Sequence, residues 1–213
     1  MSACFPRFRG CVVAIAIVLA LGASNGRAVA DDATVCANES GDVAIAACTR
    51  AIESGKFKGN SLAVKYNNRG VEWKLKQDYG RALKDYSSAI QFDPKFADAF
   101  YNRCIIYNLK EVFDRALADC TQAVKLGPTD NAMSATGAQR LGNDRTNSDY
   151  YAQRGFAYLA KKDYDRAIAD LNVAIGLNPA NTKAVNSRGL AYQGKGDTAH
   201  ANADFDAAKQ SGK

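Results

Sequence analysis

Residues 63–96 read AVKYNNRGVEWKLKQDYGRALKDYSSAIQFDPKF, and residues 97–130, which follow without a gap, read ADAFYNRCIIYNLKEVFDRALADCTQAVKLGPTD. Laid one under the other, these two 34-residue stretches share a register, and two more, beginning at Ser148 and Thr182, fall into it. With Ala63, Ala97, Ser148 and Thr182 as place one, place four is Tyr66, Phe100, Tyr151 and Val185. Place seven is Arg69, Arg103, Arg154 and Arg188, and place eight is small: Gly70, Cys104, Gly155 and Gly189. Place eleven is aromatic, as Trp73, Tyr107, Tyr158 and Tyr192. Ala82, Ala116, Ala167 and Ala201 stand at place twenty, and Ala89, Ala123, Ala174 and Ala208 at twenty-seven. Pro94, Pro128 and Pro179 end the first three copies.

Within each copy apolar residues recur three and four apart, which is one face of an α-helix. Breaks such as Lys76-Gln77-Asp78 and Lys161-Lys162-Asp163 divide each copy into two such stretches, predicting a helix–turn–helix. Small residues at places eight and twenty let antiparallel helices approach closely. The terminal Pro stops the second helix, since it has no N–H to donate and clashes with the preceding turn. One pair of helices cannot bury its own apolar face, so the copies must stack, and the expected fold is an all-α solenoid of antiparallel helix pairs.

The order large, small, aromatic, Ala, Ala, Pro at this length resembles the tetratricopeptide repeat family, and the resemblance covers four near-complete copies. It implies a superhelix whose first helices line a concave face that binds extended peptides. In the arm of the related O-linked N-acetylglucosamine transferases an asparagine ladder at place six holds the peptide backbone. Place six here is Asn68, Asn102, Gln153 and Ser187, a full match in two copies and a chemical one in the third. The carboxylate clamp of chaperone-binding relatives needs Lys at place five and Asn at place nine; Asn67 and Val71 stand there, so that clamp is not supported.

Met1–Ala30 lies outside the repeats. It carries Arg7 and Arg9 early, an apolar run from Cys11 to Ala23, and Ala28-Val29-Ala30 before Asp31. A run of thirteen is shorter than the ~20 residues a membrane span needs. Residues 1–30 read as a signal peptide cleaved before Asp31, against the competing reading of a retained anchor. The expected protein is then an exported one, periplasmic or secreted, of a bacterium. The segment holds three of the 28 basic residues and none of the 22 acidic ones, so its loss takes the formal charge from +6 to +3. No basic run with interleaved aromatics remains, which argues against nucleic acid.

Cys36, Cys48, Cys104 and Cys120 remain, an even number in an exported chain, and read as disulfides. Their spacings of twelve and sixteen, with His200 the one histidine, do not suit structural zinc, and no metal is expected. Cys36 is paired with Cys48, tying the lead-in to a lone helix. Cys104 is paired with Cys120 across one hairpin: it takes the Gly column, and Cys120 takes the place of Tyr86, Leu171 and Phe205. An offset of about one turn stands against the second bridge, with two buried thiols the alternative.

Residues 31–213 read as one elongated domain. The region 31–61 is a partial capping unit, in which Asp42–Glu53 is the second helix of a repeat whose first is missing or a stub around Cys36. Gly55–Ser61 is a loop. Repeats occupy 63–96, 97–130, 148–181 and 182–213, and a Gly-, Ser-, Thr- and Asn-rich insert occupies 131–147. No capping helix follows the last copy, leaving one face of its helix pair less covered.

No catalytic constellation is legible and no cofactor is implied: the cysteines are committed, His200 is alone, and no glycine-rich phosphate loop occurs. Every Arg at place seven is matched by an Asp at place twenty-three: Asp85, Asp119, Asp170 and Asp204. Arg69–Asp85, Arg103–Asp119, Arg154–Asp170 and Arg188–Asp204 are expected as structural ion pairs within repeats rather than anion sites. The candidate peptide-binding residues on the concave face are Asn67, Asn68, Tyr101, Asn102, Gln153, Phe156 and Asn186. A side-chain amide both donates and accepts, which suits any peptide bond; the same amides could equally bond between neighbouring helices. The functional expectation is a non-catalytic scaffold binding a protein or peptide segment. The alternative is a structural scaffold that self-associates, as a homodimer, through its last repeat.

Overall fold

The computed structural model describes residues 31–127 and 139–211, with the backbone alone for 139–146 and 211. Among them the chain is helical: α1 (31–38), α2 (Gly41–Glu53), α3 (Gly59–Leu75), α4 (Tyr79–Phe92), α5 (Ala97–Leu109), α6 (Phe113–Leu126), α7 (Gln139–Ala160), α8 (Tyr164–Leu177), α9 (Thr182–Lys195) and α10 (Thr198–Ser211). The proposed cleavage site and Pro128 lie outside the described residues. Helices α3 to α10 form four hairpins. First helices touch in succession, α3 with α5, α5 with α7 and α7 with α9, whereas the second helices do not pack on one another. The stack therefore curves with α3, α5, α7 and α9 on its inner side, as the all-α solenoid reading requires.

The eighth place shows why the hairpins are tight. A Cβ added at Gly70 would lie 2.7 Å from the Tyr86 ring, at Gly155 2.8 Å from Leu171 Cγ, and at Gly189 2.7 Å from the Phe205 ring. Place eight thus receives the large side chain of place twenty-four. In the second hairpin both places are cysteine, and Cys104 and Cys120 are bonded with a Cα separation of 5.5 Å. Side chains in an antiparallel pair lean toward each other, which closes the one-turn offset.

Each hairpin turn is built alike. Place fifteen has positive φ throughout, at Gln77 (62°), Glu111 (58°), Lys162 (61°) and Gly196 (82°). Place sixteen caps the second helix: Asp78, Asp163 and Asp197 accept from Arg81 N–H (3.0 Å), Arg166 N–H (3.3 Å) and His200 N–H (3.2 Å). Val112 stands there in the second hairpin with similar backbone angles and no side chain to accept. Lysines at place fourteen tie three of the hairpins to the preceding hairpin or unit, as Lys76–Asp42 (2.8 Å), Lys161–Asp114 and Lys195–Asp165.

The ends of three segments differ from the sequence reading. The stretch around Cys36 is a helix of about two turns, α1, tied by Cys36–Cys48 (Cα separation 4.7 Å) to α2. Helix α3 starts at Gly59, inside the expected loop, where the Ser61 hydroxyl accepts the Lys58 N–H at 3.2 Å and closes a first turn. Helix α7 starts at Gln139, so part of the polar insert is helix; residues 131–138 lie outside the described residues. Once α7 is packed, each further turn adds hydrogen bonds without a new nucleus, and composition alone does not stop it.

Candidate binding groove

Helix geometry fixes which side chains face inward. Positions three, four and seven apart share a face, so Asp98, Tyr101, Ile105 and Asn108 line one side of α5, Asp149, Ala152 and Phe156 that of α7, and Lys183, Asn186 and Leu190 that of α9. Between these helices lies a cleft of 450 Å³ lined by Ile105, Asn108, Leu109, Ala152, Gln153, Phe156, Lys183, Asn186 and Ser187. Its apolar walls are open to solvent: Leu109 is 59% exposed, Phe156 41%, and Leu190 on the same face 42%. Three of the expected binding residues, Gln153, Phe156 and Asn186, meet here.

The other amides are occupied within the protein. Asn102 Nδ2 donates to Asn67 Oδ1 at 3.1 Å, and Asn102 Oδ1 accepts from Lys74 Nζ at 3.1 Å. Both asparagines are buried. Asn68 Nδ2 donates to the Cys36 carbonyl at 3.4 Å, and Gln153 Oε1 and its backbone O each accept from Asn108 Nδ2 at 3.1 Å. Of the two roles open to place six, the bond between neighbouring helices is the one with partners in the structure. Tyr101 is not a free wall either. Its ring lies 4.8 Å from that of the buried Tyr150, and burial, with Asp149 and Asp98 nearby, pushes its phenol well above the ordinary range. Tyr150 in turn donates its hydroxyl to Asp98. Asn108 was absent from the sequence reading, although the inward-facing spacing reaches it.

The Arg–Asp pairs sit on the flank, away from this cleft. Each is a two-pronged fork: Arg69 to Asp85 (2.9 and 2.8 Å), Arg103 to Asp119 (2.7 and 2.8 Å), Arg154 to Asp170 (2.7 and 2.8 Å) and Arg188 to Asp204 (2.9 and 2.6 Å). The hydrogen bonds that each guanidinium donates to its carboxylate raise it further above its usual range, against the opposing effect of burial. In three repeats the free Nη1 also reaches back to the preceding hairpin or unit, at Thr49 (3.0 Å), Ser87 (3.0 Å) and Asn172 (2.7 Å). That second bond links neighbours along the stack and was not foreseen from the pairing of columns. No helix among the described residues is long and apolar enough to cross a membrane.

Comparison with known proteins agrees with this architecture. Residues 148–181 match the family model described as Tetratricopeptide repeat. A 66-residue stretch is 35% identical to the meiotically up-regulated gene 93 protein of Schizosaccharomyces pombe; it covers 31% of this chain and 17% of that protein. Among solved structures, a crystal structure of MamA superposes with a TM-score of 0.66 at 19% identity, over 87% of this chain and 92% of the other. MamA from Desulfovibrio magneticus RS-1 gives 0.68 at 16% identity over 90% and 96%. BtubC (BKLC) from P. vanneervenii gives 0.65 at 18% identity over 89% and 88%. At these identities the structures share the fold. Residues 148–181 are thus similar to a tetratricopeptide repeat, and three further stretches of the chain are built on the same columns.

Proposed function

We propose that this protein is a non-catalytic scaffold that holds an extended segment of another protein in the cleft between α5, α7 and α9. The tetratricopeptide scaffold is one typical of protein–protein interaction. The observation that carries the finer reading is the exposure of Leu109, Phe156 and Leu190 on one inner face beside a cleft of 450 Å³. Apolar side chains gathered on one concave surface mark an interaction site rather than an ordinary solvated face. The buried amides Asn67 and Asn102 hold the floor rigid, and Asn186 and Gln153 offer polar atoms at the rim. The signal-like segment 1–30 supports action outside the cytoplasm.

A photoreactive residue placed at 156 should cross-link a partner chain in the native cells, and one placed at Val173 on α8 should not. Cross-links from 173 with none from 156 would put the binding surface elsewhere. A second reading, self-association through the last hairpin, is favoured by a shallower cleft of 440 Å³ lined by Thr182, Asn186, Phe205, Ala208 and Lys209. Sedimentation across concentrations separates the two, since stacking requires a concentration-dependent dimer.

A further inference from the structure

The described carboxylates differ in whether a cation pairs with them. Most on the flanks and outer faces have a cation: the four Arg–Asp forks, and Asp32, Asp42, Asp114 and Asp165 with Arg50, Lys76, Lys161 and Lys195. Asp98 and Asp149, at place two of the second and third repeats, have no ion pair among the described residues. Asp98 accepts the Tyr150 hydroxyl, and among the described residues Asp149 accepts the Asn181 amide at 3.3 Å. Both lie near the half-buried Tyr101: Asp98 accepts from Tyr150, whose ring packs on Tyr101 at 4.8 Å, and Asp149 is the residue before Tyr150, so two carboxylates border one end of the inner face. Burial raises the proton affinity of Asp149, and the neighbouring Lys183 only partly offsets this. Such a pair lowers its energy when a cation arrives from outside.

One helix face joins this acidic end to the apolar cleft. Ile105 stands seven residues beyond Asp98 on α5, and Phe156 seven beyond Asp149 on α7, about 10 Å at 1.5 Å per residue. That span is bridged by a lysine or arginine side chain two or three residues from an apolar one in an extended segment, at about 3.3 Å per residue. A separate observation lies in the cleft wall. Asn108, 5% exposed, lines it; its Nδ2 is committed to Gln153 and Cys104 Sγ, and its Oδ1 has no donor among the described residues. Buried acceptors are seldom left without a partner, and a donor entering with the ligand would supply one.

We infer that the segment bound here is a basic–apolar peptide: a lysine or arginine side chain lies between Asp98 and Asp149 while a leucine, isoleucine or phenylalanine two or three residues away enters the cleft against Ile105, Leu109 and Phe156. This rests on the groove reading above and adds the chemistry of the partner. Charge complementarity of this kind selects the partner and sets the direction in which it lies.

The test exposes the purified, oxidised full chain to a displayed library of random peptides. Selected sequences are then synthesised and titrated calorimetrically against wild type, Asp98→Asn/Asp149→Asn, Lys183→Met and Phe156→Asp. The Asn variants keep the acceptors used by Tyr150 and Asn181, so the fold is retained. Selected peptides are expected to carry a basic residue two or three positions from an apolar one. Affinity should fall at least tenfold in Asp98→Asn/Asp149→Asn and in Phe156→Asp, and rise about twofold in Lys183→Met, which removes a competing charge. Peptides that lose binding with Phe156→Asp but are acidic or uncharged, or that ignore the neutralised aspartates, would overturn this inference and leave the groove standing. A selection that yields no peptide dependent on Phe156 would overturn both.

Discussion

The same substitution, glycine to alanine, is expected to have opposite effects at two places less than one repeat apart. At Gly155 the new Cβ would lie 2.8 Å from Leu171 Cγ, 3.2 Å from its Cδ2 and 3.3 Å from the Ala167 carbonyl oxygen. Carbon atoms prefer about 3.5–4.0 Å, and one neighbour is backbone that cannot swing away. The hairpin must open, at a cost of about 1–3 kcal/mol for an overpacked methyl. Alanine's better helix propensity returns up to about 1 kcal/mol, leaving a net loss of about 1–2 kcal/mol. At Gly176 in α8 nothing lies within 4 Å of the new Cβ. There only the propensity acts, and Gly176→Ala should stabilise by about 0.5 kcal/mol, the low end for a position near a helix terminus. Urea unfolding followed by far-ultraviolet circular dichroism reads both. The thermal midpoint should move by about 2–4 °C per kcal/mol in a chain of this size. A neutral Gly155→Ala, or a destabilising Gly176→Ala, would refute the argument that place eight is glycine because place twenty-four fills it.

Val112→Asp should supply the one missing cap among the four hairpins, accepting from the Arg115 N–H as Asp78 does from Arg81, and raise the urea midpoint by about 0.5–2 kcal/mol of stability. Asp170→Ala strands the Arg154 guanidinium, whose side chain is only 17% exposed, and should cost about 2–3 kcal/mol by the same assay; a change under about 0.5 kcal/mol would make the fork ornamental. Reducing Cys104–Cys120, or replacing both by Ser, should cost about 3 kcal/mol for a closed loop of this size, read as the midpoint difference with and without reductant.

The helix pairs, their register and the close approach at place eight were legible because a 34-residue period repeats four times, and each column carries the same physical demand each time. The Arg–Asp columns were legible for the same reason. The Lys column at place fourteen, Lys76, Lys110, Lys161 and Lys195, was equally periodic and went unread as a link between hairpins. Its partner column in the preceding unit, Asp42, Gly80, Asp114 and Asp165, breaks at Gly80, so three of the four bridges occur among the described residues. The amide column shows the limit of reading a role from a repeat. Whether Asn102 serves a ligand or Asn67 and Lys74 depends on what sits one helix away, and column identity does not contain that distance. Helix α1 and the start of α7 were obscured because polar, non-periodic sequence is helical there by continuation or by a disulfide.

The claim that the inner face between α5, α7 and α9 is the binding surface is tested most directly by Leu109→Asp. Leu109 is 59% exposed and lines the cleft, so a charge there should leave the unfolding midpoint within the ±0.5 kcal/mol typical of surface changes. Affinity for the partner recovered by cross-linking from position 156, measured by calorimetry on folded protein, should fall at least tenfold, because the carboxylate would be buried against an apolar side chain. An unchanged midpoint together with an unchanged affinity would contradict the account and place the partner on another surface.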